Sequence, residues 1–141
     1  MPKAKPVQRH NKCVQQPELT ESEWLIIKAI WENEPCAAPT IQEVLEKQTG
    51  WTYSTVKTLM DRMVEKGFLS TKRMRNLILY SSNLKRSQAQ KGEMMRTLKR
   101  AFDGALTPMM QFLLDNDEVS ESELADLEVL IRKKRRRNSR R

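Results

Sequence analysis

The sequence is poor in the residues that active sites use most. Its 141 residues include one histidine, His10, and two cysteines, Cys13 and Cys36. It has no glycine-rich phosphate loop and no nucleophile set beside a base, so an enzyme is not expected. Two cysteines cannot make a disulfide framework, and a reducing cytosol is the natural setting. His10 and Cys13 have a spacing compatible with metal ligation, but no second pair follows. Neither a metal nor a cofactor is expected. No apolar run approaches the roughly 20 residues of a membrane span. Residues 1–17 lack the apolar core of a secretory signal. The expected location is cytoplasmic.

Charge is what the chain has in quantity, and it is laid out in blocks. Charged residues make up 31% of the chain, and the formal net charge is +8. Residues 51–100 hold twelve Lys or Arg against Asp61, Glu65 and Glu93, whereas residues 101–131 hold eight acids and no base. Residues 1–17 carry four cations and no acid, and residues 132–141 carry eight cations in ten positions. A polyanion would therefore meet the middle of the chain and its ends, and avoid the acidic block.

Residues 1–17, with three prolines and no periodicity, read as a disordered basic tail. Thr20 and Glu23 fit a capping box that opens a first helix, with Ile26, Ile27 and Ile30 inward and Trp24 and Trp31 as core anchors. Glu34-Pro35 should end it, because the residue before proline is pushed out of the α region. A second helix is expected from Thr40, again through a Thr-x-x-Glu box with Glu43, with Ile41, Val44 and Leu45 inward and Thr49-Gly50 as its close.

The stretch 51–69 is the centre of the reading. Val56, Leu59, Met60, Met63 and Val64 recur at three- and four-residue steps and form one apolar face. Ser54, Thr55, Lys57, Thr58, Asp61 and Arg62 form the other, and hydroxyls and cations suit base edges and phosphates. Asp61, an acid on that face, should pair with Lys57 or Arg62. Two short helices leading to this third one make a helix-turn-helix arrangement. After Gly67 a hairpin is expected: a strand over 68–73, a turn at Met74-Arg75-Asn76 and a return over 77–80. Lys72, Arg73 and Arg75 make it a basic wing. The predicted winged helix-turn-helix domain spans 18–82.

Beyond it, residues 83–131 read as helical. Met95, Leu98, Phe102 and Leu106 form one stripe, broken at Thr107-Pro108. A second apolar segment contains Met110 and Leu113, and a last helix starts at a Ser120–Glu123 box with Leu124, Leu127 and Ile131 inward. So few residues cannot bury this surface alone, which predicts a helical dimerisation domain. The fold class is mainly α with a small β-hairpin.

Leu19-Thr20-x-x-Glu23-Trp24, Ile30-Trp31, Trp51-Thr52-x-x-Thr55-Val56-x-Thr58-Leu59-Met60-x-Arg62-Met63 and Lys66-Gly67-Phe68 together resemble the BlaI/MecI penicillinase-repressor family over about residues 18–133. The resemblance implies a dimeric winged-helix repressor of bacterial β-lactamase and related genes, with double-stranded operator DNA as its partner. It puts base contacts at Ser54, Thr55 and Thr58, phosphate contacts at Lys57, Arg62 and the wing cations, and Thr52 in the same DNA-binding face. Ser54 stands where a cation is common, which implies a different operator sequence. In that family a membrane sensor protease system triggers cleavage in the dimerisation helices, typically at an Asn-Phe bond. The aligned bond is Gln111–Phe112. A related branch responds to copper through a cysteine-rich C-terminal tail, which this chain, with no cysteine after Cys36, does not have.

The expected function is repression by occupancy of a pseudo-palindromic operator by a homodimer. The alternative is a winged-helix module used for protein or RNA contact. The basic tail 132–141 would add attraction for phosphate or serve another acidic partner.

Overall fold

A computed structural model describes residues 17–140. The tail up to residue 16, with His10 and Cys13, lies outside the described residues. Six helices and one hairpin follow in the order α1 (Glu21–Asn33), α2 (Ala38–Thr49), α3 (Tyr53–Glu65), β1 (Leu69–Met74), β2 (Leu77–Ser82), α4 (Arg86–Phe102), α5 (Leu106–Asp115) and α6 (Glu121–Ser139). The fold is mainly α with one small antiparallel hairpin. The chain divides into two compact units between Met95 and Arg96.

In the first unit, α1 opens on the expected capping box. The Glu23 amide donates to Thr20 Oγ1 at 3.2 Å and the Thr20 amide to Glu23 Oε1 at 2.9 Å, which satisfies two orphan donors reciprocally. Glu23 is buried, and its second oxygen accepts from Lys66 Nζ just past the end of α3. One carboxylate thus caps one helix and holds the exit of another. Trp31 Nε1 donates to Ser82 Oγ and to the Leu84 carbonyl, so the far end of α1 is tied to the chain leaving the hairpin.

The second helix begins earlier than expected. Its N-cap is Ala37, whose carbonyl accepts from the Thr40 amide, and no side chain caps it. Thr40 is therefore inside the first turn, and the Thr40–Glu43 box does not form. Pro39 explains the shift, since its fixed φ and missing N–H suit a first turn and let the helix start before the threonine. Ile41 and Leu45 are buried, but Val44 is 49% exposed. Gly50 closes α2 at φ +72°, a left-handed position that glycine takes without strain.

The hairpin also differs by a residue. Phe68 belongs to the exit of α3, and the strands pair from Leu69↔Ser82 to Met74↔Leu77 around a two-residue turn, Arg75-Asn76. Cys36 and Tyr80 exchange both backbone hydrogen bonds, at 3.1 and 2.7 Å, and stitch β2 to the α1–α2 connection. The core, from Leu19 to Ala89, lies entirely in this unit.

In the second unit the break is not at Thr107-Pro108. Helix α4 ends at Phe102, and Asp103 and Gly104, both at positive φ, turn the chain. Pro108 sits in the first turn of α5, where its missing N–H costs nothing. Leu106 therefore starts α5 and does not continue the α4 stripe. The Ser120–Glu123 box opens α6 as expected, and the helix runs on through Ser139. Neither α5 nor α6 has a buried residue.

Candidate nucleic-acid interface

Helix α3 is held at both ends and along one face. Thr52 is its N-cap, accepting from the Thr55 amide at 3.3 Å. Gln42 Nε2 on α2 donates to the Trp51 carbonyl at 3.1 Å, which fixes the turn into the helix. At the other end the Phe68 amide donates to the Met63 carbonyl and the Gly67 amide to that of Val64, the paired bonds of a Schellman close. Val56, Met60 and Met63 are fully buried, with Leu59 and Val64 packed against them. A helix fixed this way presents its other face in one orientation.

That face carries Ser54, Thr55, Thr58, Asp61 and Arg62, all exposed, with Lys57 half-buried. Thr52 Oγ1 lies 3.3 Å from Ser54 Oγ and 3.2 Å from Thr55 Oγ1, a hydroxyl cluster at the helix N-terminus. Free N-terminal amides and the helix dipole favour an anion here. Lys72, Arg73 and Arg75 are exposed on the wing. Arg75 has φ +59° at the hairpin tip, a strained setting for a residue with a β-carbon.

Asp61 pairs with Lys57 at 2.7 Å, and Tyr80 donates to its other oxygen at 2.8 Å. Arg62 is not its partner in the described structure. Partial burial by itself would raise the Asp61 carboxyl, but the hydrogen bonds from Lys57 and Tyr80, with the lysine's charge, outweigh it and hold the group below its ordinary value. The hydrogen bond to Asp61 pushes Lys57 well above the ordinary lysine value. The phenol of Tyr80 is raised, first by burial and then by its bond to Asp61.

Tyr53 was not foreseen. It is 47% exposed at the first position of α3. With Pro39, Asn76, Leu77 and Ile78 it lines a shallow groove between the helix start and the wing. Such an apolar wall can meet a sugar or a thymine methyl. Tyr53 falls off the three- and four-residue stripe, so periodicity passes over it. The proximity of Leu77 and Ile78 depends on how the hairpin folds back.

Among the described residues no group of three or more His, Cys, Asp or Glu side chains could hold a metal. None of the described helices is long and apolar enough to cross a membrane. Cys36 is a buried free thiol, pushed up by burial and by the charge of Glu34.

The sequence profile of the penicillinase repressor matches residues 19–133, through both units. The chain belongs to the penicillinase repressor family. It is thus a DNA-binding transcriptional repressor with a winged helix. The methicillin resistance regulatory protein MecI of Staphylococcus aureus (strain N315) is 23% identical over 117 residues, which cover 83% of this chain and 95% of that protein. The penicillinase repressor of Bacillus licheniformis is 25% identical over 111 residues, 79% of this chain and 87% of that one. Among solved structures, the DNA-binding domain of the repressor BlaI is similar at 23% identity and a TM-score of 0.47, covering 52% of this repressor and 89% of that chain.

Proposed function

We propose that this repressor binds a pseudo-palindromic operator as a homodimer and blocks transcription by occupancy, with Ser54, Thr55 and Thr58 reading bases. The observation that supports this best is the exposed hydroxyl face of a helix locked on its opposite face and at both ends. Base contacts need that rigidity, because each good contact discriminates by about 1–3 kcal/mol only when its geometry is held. Arg62, Lys72, Arg73 and Arg75 take phosphates, and Lys57 does so while bridged to Asp61.

Dimerisation is supported by helices α4 to α6. Met95, Leu106 and Ile131 are 43%, 58% and 54% exposed, and Leu98, Phe102, Met110, Leu113, Leu124 and Leu127 are only partly covered. Helices with no buried residue need a partner surface to be stable. A second copy offers the same apolar side chains. Release follows from breaking this pairing. Gln111 and Phe112 are exposed on α5, a helix with no buried residue. Local opening there is inexpensive, and cleavage between them by a membrane sensor protease system would detach Phe112–Leu114 and α6. The repressor works in the cytoplasm on this reading.

The test is selection of preferred sites from randomised duplexes, then binding to the selected site and to a scrambled one at fixed salt. Thr55→Ala combined with Thr58→Ala should abolish the preference and keep scrambled-site binding. An unchanged preference would refute base reading by α3. Sedimentation should find a dimer at micromolar concentration, and a stable, folded monomer would overturn the second part.

A further inference from the structure

Helix α6 changes character halfway. Residues 121–131 carry four acids and no base, and then Arg132 to Arg137 is an unbroken run of six cations, with Arg140 at the C-cap. The family match stops at residue 133. The helix does not stop there, so most of its basic half lies beyond what defines the family. All seven cations are exposed. None has an ion-pair partner among the described residues. Arg132–Arg136, Lys133–Arg137 and Arg136–Arg140 are like-charge pairs four residues apart, which destabilise an isolated helix. The helix dipole favours cations only in the last turn. A polyanion would turn the repulsion in the earlier turns into attraction.

Five of the seven cations also share one face. At about 100° per residue, Arg132, Lys133, Arg136, Arg137 and Arg140 fall within an arc of roughly 140°, centred about 180° from the Leu124, Leu127 and Ile131 stripe, while Lys134 and Arg135 fall to either side of that stripe. A surface packed on that stripe would leave the arc open. We propose that this arc is a second, sequence-independent site for the phosphate backbone of duplex DNA, distinct from the base-reading helix. It rests on the reading of the chain as a duplex-DNA binder. Residues 121–141 contain no Trp, Tyr or Phe, so the stacking that holds single strands is missing. A membrane-surface helix has cations flanking its own apolar face. Here the apolar stripe lies in the acidic half, which an anionic lipid surface would repel. At about 1.5 Å per residue the arc spans about 12 Å, the scale of a short run of backbone phosphates that its long side chains can reach.

The test uses the full chain with Lys133→Gln, Arg136→Gln, Arg137→Gln and Arg140→Gln together, titrated with salt on a random-sequence duplex. The slope of log affinity against log salt should become shallower by about 3–4, at 0.9 per lost phosphate contact. Circular dichroism should show the helix retained, and the all-lysine counterpart of the same positions should keep the original slope. The preference for a selected site over a scrambled one should be unchanged.

An unchanged slope overturns the proposal, and so does a variant that loses self-association instead, which would assign the arc to the acidic half of a second copy. Variant-sensitive binding of single-stranded RNA or phosphatidylglycerol vesicles, with the duplex indifferent, also overturns it. Site preference with an unchanged slope would sink this site alone. A shallower slope in a protein with no site preference would sink only the operator reading.

Discussion

The hydroxyl of Tyr80, on the return strand of the wing, donates to the Asp61 carboxylate on α3 at 2.8 Å. The same carboxylate holds Lys57 one turn earlier on α3. Wing and α3 are therefore joined through the one acid on that helix's exposed hydroxyl face. Asp61 looks misplaced in a surface proposed to meet phosphate, yet it is a polar link between the wing and the helix.

Removing the link from the wing side should loosen the pair without emptying the core. Tyr80→Phe keeps the buried ring and loses one hydrogen bond to a partly exposed carboxylate, so unfolding free energy should fall by about 1 kcal/mol. Urea denaturation would read this. No change would mean that water replaces the bond at no cost.

Removing the charge should act on binding in the opposite direction. Asp61→Asn takes away the anion that neutralises Lys57. Affinity for a scrambled duplex should rise, and its salt slope should steepen by about 0.9, the worth of one cation no longer offset at its phosphate. A weaker or unchanged slope would show that Lys57 does not reach phosphate.

The pH dependence has a definite sign. Asp61 is held below its ordinary value in the folded protein, so its stabilising contribution is fully present above the unfolded carboxylate value of about 3.9. It is lost as pH falls through the lower, folded value. The stability difference between the wild type and Asp61→Asn should therefore shrink on going from pH 7 to pH 3. A constant gap would contradict the ion pair.

The hairpin tip sets stability against binding. Arg75 occupies a left-handed conformation at φ +59°, which costs about 1 kcal/mol for a residue with a β-carbon. Arg75→Gly should raise the unfolding free energy by about that amount and flatten the salt slope by about 0.9. Stabilisation with no change in DNA binding would remove Arg75 from the interface.

Much of the secondary structure was legible because its signals are local. The Thr20–Glu23 and Ser120–Glu123 boxes, the glycine closes and the inward face of α3 each involve residues three or four apart, and each formed as expected. The misses were contests between two local signals. At α2 the Thr40 box lost to Pro39, and after α4 the Asp103-Gly104 turn took the break expected at Pro108. A proline in a first turn begins a helix as readily as one further along ends it.

By itself, the sequence determined the kind of molecule. The helix periods, hydroxyl-rich face, basic hairpin and charge blocks depend only on residue order, because a helix repeats every 3.6 residues whatever surrounds it. Only the tertiary structure decided what crosses between elements. Glu23 reaches Lys66 across 43 positions, Trp31 reaches Leu84 across 53, and Tyr80 reaches back 19 to Asp61. Such pairs have no period to betray them. They exist because the folded core brings distant backbone together, and there buried or half-buried polar groups must find partners.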